Sequence, residues 1–194
     1  MQVQKIKTDK EFMLAIAQRL GPAFVYVGEE LKADKDIVLA AVRNCGFVLR
    51  VASEELRNNK QIVLAAIRNS PDALELASVA LQQNKDFVLS AIEQSSVAFR
   101  FANAEFQQDK ELVLAAVKKC GWMMRYVPED LVNDKDIILA AVKNHGKALQ
   151  YASAELKGDQ QIVLAAIKCD LNAFQYASEE LRNSRQFDNN IFVL

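Results

Sequence analysis

Leucine stands at Leu14, Leu39, Leu64, Leu89, Leu114, Leu139 and Leu164, each 25 residues after the last. If leucine were about one residue in ten, seven in register would arise by chance roughly once in ten million. A fixed period of this length requires a repeat architecture, in which each copy buries its apolar face against the next and none stands alone. The neighbours keep the period too. Asp34-Lys35-Asp36-Ile37-Val38-Leu39-Ala40-Ala41-Val42-Arg43-Asn44 returns as Asn59-Lys60-Gln61-Ile62-Val63-Leu64-Ala65-Ala66-Ile67-Arg68-Asn69.

The copies begin at Asp9, Asp34, Asn59, Asn84, Asp109, Asp134 and Asp159. They give a lead-in over 1–8, seven repeats over 9–183 and a degenerate capping repeat over 184–194, where Asp188-Asn189-Asn190 replaces the apolar core. No Pro/Gly-rich linker or shift in composition interrupts them, so a single array over 1–194 is expected.

Each copy opens on Asp or Asn, whose side chains accept from the free amides of a helix start. An acid often follows two residues later (Glu11, Asp36, Asp86, Glu111, Asp136), where the helix dipole favours it. Runs such as Ile37 to Val42 are apolar on all sides, and the Ala-Ala pairs and caps make them helices packed between neighbours, not strands. Gly21, Gly46, Pro71, Ser96, Gly121 and Gly146 then stop the helix. A second, shorter helix carries the apolar columns headed by Phe24 and Tyr26. A Ser-led segment, Ser53 to Leu56 or Ser178 to Leu181, reads as one further turn. The expected fold is all-α, an α-solenoid whose unit is a long helix, a short helix and a one-turn helix. A leucine-rich repeat would need a Leu-x-Leu strand and an Asn ladder, and neither occurs within Val-Leu-Ala-Ala-Val.

The pattern from Asp134 to Leu156 resembles a tandem helical repeat family classed as a domain of unknown function, found in bacterial proteins including effectors of intracellular pathogens. The resemblance covers about residues 9 to 183 and weakens at Gly121 to Leu131, where Trp122, Met123, Met124 and Pro128 depart from the pattern. It implies a helical array and an effector origin, and it supplies no catalytic residues.

Composition narrows the function classes. Net charge is −1 and 51% of residues are hydrophobic. That balance disfavours a broad nucleic-acid or anionic-membrane footprint. Apolar runs of about six residues are far too short to span a bilayer. Met1 to Lys5 holds no signal-peptide core, so a soluble, cytoplasmic chain is expected, or one translocated without a classical signal if it is an effector. Cys45, Cys120 and Cys169 form neither a disulfide framework nor a zinc motif and are read as small buried or half-buried residues. His145 shares a repeat position with Cys120, but column neighbours stand about 10 Å apart along a stack. Catalysis, metal binding and cofactors are therefore not expected. The acidic column and the neighbouring lysines at 10, 35, 60, 85, 110 and 135 are read as a solvated helix start.

Two columns point to recognition. Arg43, Arg68, Lys118, Lys143 and Lys168 end the long helices, where the dipole favours them. They carry the alternative reading, a nucleic-acid-binding repeat. On the short helix, the most variable column includes Phe47, Asp72, Val97, Trp122, Lys147 and Asn172, so it should face solvent. Arginine follows three residues on in three copies. Phe47 with Arg50, Val97 with Arg100 and Trp122 with Arg125 are therefore the candidate partner-binding pairs, aromatic or apolar groups beside cations. The expected function is a monomeric scaffold for protein–protein interaction whose partner offers an acidic and apolar surface.

Overall fold

The computed structural model describes residues 10–19, 24 and 26–184. The lead-in over 1–8 and the degenerate repeat beyond Ser184 lie outside the described residues. Among those described, every regular element is helical. The third repeat shows the unit: α-helix Lys60–Asn69, 3₁₀ helix Pro71–Leu76 and one-turn α-helix Val79–Gln82.

From the second copy on, each long helix starts where its cap predicts. The Asp34 carboxylate accepts from the amides of Asp36 and Ile37 at 3.0 and 3.2 Å, and Asn59, Asp109, Asp134 and Asp159 do the same in their repeats. Ser53, Ser78, Ser153 and Ser178 cap the one-turn helices through their hydroxyls. The fifth repeat departs. Proline has no side-chain acceptor, and behind Pro128 the last turn is 3₁₀, Glu129–Leu131. Leu131 is half-buried there, whereas Leu56, Leu81, Leu156 and Leu181 are buried at the same repeat position.

The short helix is present and is of the 3₁₀ type, with i and i+3 eclipsed. Two expectations need correcting. The long helix stops before the glycine, not at it. The stop is an extended residue, Ser70, Ser95, Cys120, His145 or Asp170, with φ between −137° and −151°. No described residue has positive φ, so Gly46, Gly121 and Gly146 serve close approach. A Cβ on Gly121 would lie 2.5 Å from the Ala141 carbonyl oxygen of the next repeat. Second, the long helices are not buried all round. Ile37, Val38, Ala41 and Val42 are buried, but Leu39 and Ala40 are half-exposed, and the copies that begin at Asn59, Asn84, Asp109, Asp134 and Asp159 follow this pattern, whereas Phe12 in the first copy is 48% exposed. The leucine column that sets the period lines the surface. Likewise the column from Tyr26 to Tyr176 is half-buried at most, and Tyr26 is 76% exposed. The 3₁₀ residues that fill the core are Val48, Ala73, Ala98, Met123, Ala148 and Ala173, with Leu49 and its equivalents up to Leu149; Phe174 is half-buried.

Two compact units divide the chain, Met1–Asn103 and Ala104–Leu194. In the first, the long helices Lys10–Arg19, Lys35–Val42, Lys60–Asn69 and Lys85–Gln94 pack in sequence order. In the second, Lys110–Lys119, Lys135–Asn144 and Gln160–Cys169 do so. Each is a helical-repeat stack. Polar side chains join consecutive copies inside each unit. Asn44 Nδ2 donates to the Ala17 carbonyl at 3.0 Å, and Asn69 Nδ2 to that of Arg43. Asn144 Nδ2 donates to the Lys118 carbonyl at 3.3 Å while its Oδ1 accepts from Gly121 N at 2.8 Å. The lysine column is not merely solvated. Lys110 pairs with Asp134 at 2.7 Å and Asp136 at 3.0 Å, and Lys135 with Asp159 at 2.7 Å. Those capping carboxylates titrate low. Burial alone would raise Asp134, but the Lys110 ammonium and the capped amides hold it below its ordinary value. At Asp159 the Lys135 ammonium is the main cause of the same depression.

Candidate partner-binding surface

The outward edge of each 3₁₀ helix is set by its inward one. Buried residues at its third and fourth positions, such as Val48 and Leu49, turn the second and fifth outward, and the eclipsed i, i+3 spacing aligns them. No described member of the variable column is buried, and Phe47, Val97 and Trp122 are 56%, 39% and 44% exposed. Arg50, Arg100 and Arg125 are exposed on the same edges.

In the first unit the edge passes through three consecutive copies: Phe47 with Arg50, Asp72 with Glu75, Val97 with Arg100. An inter-repeat ion pair could have explained Arg50 and Glu75, but neither makes one among the described residues. The Arg100 guanidinium lies 5.3 Å from the centre of the adjacent Phe101 ring.

The second unit holds Trp122 and Arg125. The indole stacks on the His145 imidazole of the next copy, with centroids 4.7 Å apart and planes 26° from parallel. The sequence allows Trp122 to fold over the gap between copies as packing but does not name His145, which it leaves as a plain, partly exposed histidine; the two lie in adjacent copies that a glycine at 121 brings close. His145 Nε2 is buried with no hydrogen-bond partner. Arg125 lies 5.3 Å over the Tyr126 ring and borders a groove of about 540 Å³ shared with Glu129, Val132 and Tyr151. That groove belongs to the repeat in which Pro128 replaces the capping serine. The break in the serine column was its signal in the sequence. Met123 and Met124, in the same irregular stretch, are core.

Cys45 and Cys120 are half-buried, as expected, but Cys169 is exposed, because it falls in the column of Asn44, Asn69 and Asn144 at the polar end of the long helix. Among the described residues no three His, Cys, Asp or Glu side chains are grouped to hold a metal ion, and no helix is long and apolar enough to cross a membrane.

No curated protein and no solved structure matches the chain. A family model described as a domain of unknown function (DUF4116) matches residues 9–57, 34–82, 59–107, 84–132, 109–157 and 159–187, in windows that advance with the repeat. Those matches span nearly all of the stacked copies, and the chain therefore belongs to the DUF4116 family of tandem helical repeats.

Proposed function

We propose that the chain is a non-enzymatic scaffold that binds a protein, with Trp122 and Arg125 at the centre of contact. The carrying observation is the Trp122–His145 stack: a large indole, 44% exposed, held against an imidazole whose Nε2 has no partner. Trp and Arg are among the residue types that most often dominate interface energetics. Phe47 with Arg50 and Val97 with Arg100 offer pairs of the same chemistry in the first unit. Cations beside apolar groups suit a partner with an acidic and apolar face. The family resemblance to effector repeats extends the reading to a partner in a host cell.

The nucleic-acid alternative draws on grooves bordered by Arg43 and Arg68 and by Lys118 and Lys143. Asp136 borders the second of these, which disfavours a phosphate backbone there.

The test is a Trp122→Ala, Arg125→Ala double variant. Partners captured by the wild type are identified, and the affinity of each purified partner is measured for both proteins. Loss of binding at an unchanged melting temperature supports the reading. Unchanged binding, or a large drop in melting temperature, assigns these residues to packing.

A further inference from the structure

The outward face of the long helices carries a second surface, distinct from the 3₁₀ edge. In the second unit Leu114, Leu139 and Leu164, with the alanines that follow them, form a half-exposed apolar band across three packed helices. A groove of about 570 Å³ runs between the first two helices, bordered by Leu114, Leu139, Ala140, Lys118 and Lys143.

The two margins of the band differ. Along the helix starts, Asp136 is already paired with Lys110 at 3.0 Å. Along the helix ends, Lys118, Lys143 and Lys168 are exposed, and none forms an ion pair among the described residues. One carbonyl at each of these ends is bonded by the backbone: Ala116, Ala141 and Ala166 accept from the amides of Cys120, His145 and Asp170 at 2.9, 2.8 and 2.9 Å. In the first unit Glu93 interrupts the equivalent row, so only the second unit presents it whole.

Spacing selects the occupant. Packed helix axes stand about 8–10 Å apart. Seven residues of an α-helix rise about 10.5 Å. A helix laid along the stack therefore advances about one heptad per repeat, and leucines repeating every seven residues would enter successive grooves.

We infer that the long-helix face of the second unit docks an amphipathic α-helix of a protein partner, its apolar stripe on Leu114, Leu139 and Leu164 and its acidic margin on Lys118, Lys143 and Lys168. A nucleic acid would use the lysines and leave the leucine band uncovered.

The probe is a labelled synthetic peptide of about three heptads, with Leu at the first and fourth positions of each heptad and Glu on both flanks, which also repels its own copies. Its anisotropy is followed on titration with the whole chain. Three comparisons are run: a peptide with Lys flanks, a peptide with Leu replaced by Ser, and a single-stranded DNA oligonucleotide. The protein variant is Lys118→Glu, Lys143→Glu, Lys168→Glu, whose substitutions are all exposed; circular dichroism checks its fold. The expected result is binding of the Glu-flanked peptide at least about tenfold tighter than either control peptide, with the order of Glu- and Lys-flanked peptides reversed in the variant. Equal or absent binding of the peptides overturns the inference. So does an oligonucleotide that binds more tightly than the Glu-flanked peptide and loses its affinity in the variant. The Trp122 and Arg125 reading is untouched by either outcome, because those residues lie on the other edge.

Discussion

Substituting Gly146 tests the claim that glycine here serves close approach. A Cβ at this position would lie 2.4 Å from the Ala166 carbonyl oxygen and 3.1 Å from Asp170 Cβ. The first contact is with backbone, at the end of a packed helix, so it cannot be relieved by a rotamer change. Overpacking of this kind costs about 1–3 kcal/mol. Against it, Gly→Ala stiffens the unfolded chain and returns about 0.4–1 kcal/mol where the backbone is compatible, as it is without a positive φ. The net expectation for Gly146→Ala is a loss of about 1–2 kcal/mol, or about 2–8 °C in melting temperature for a chain of this size. Gly158→Asn is the matched control. Its φ of −91° and ψ of −9° nearly repeat the −95° and 0° of Asn58 at the same repeat position, and its nearest contact on adding a Cβ is 3.2 Å. Its melting temperature should stay level or rise. Both variants are measured by thermal and urea unfolding monitored by circular dichroism. If Gly146→Ala melts with the wild type, the close approach does not set the spacing between copies.

Asn144→Ala removes the acceptor for Gly121 N and the donor to the Lys118 carbonyl, and should destabilise by about 1–2 kcal/mol in the same assay. Pro128→Ser restores the missing cap and should stabilise by about 0.5–1 kcal/mol, with a small gain in helical signal. The carboxyls of Asp134 and Asp159 titrate below their ordinary value of 3.8, so their contribution is present above that pH and is lost as pH falls through the folded values. Melting temperature should therefore drop on acidification below about pH 4, and less steeply in an Asp134→Asn, Asp159→Asn variant, which keeps the caps without the charge. His145→Ala uncovers one face of the chain's single tryptophan and should shift its emission to the red.

The sequence by itself determined the period, the all-α class and the helix starts. These are local properties: a capping Asp at Asp34 or Asp134 needs only the amides two and three residues ahead. It also turned the variable column outward, because no buried position would accept Asp72, Lys147 and Asn172 in place of Trp122. Tertiary structure decided what depends on the neighbouring copy. An uninterrupted run such as Ile37 to Val42 carries no phase, so only packing shows that Leu39 and Ala40 face out. The purpose of Gly121 is set by Ala141, 20 residues on, and the stack of Trp122 on His145 exists only because that glycine lets the copies approach. A repeat spells out each unit in its own residues, but the contacts between units are made by residues far apart in the chain, and those contacts decide which apolar groups become core and which remain as surface.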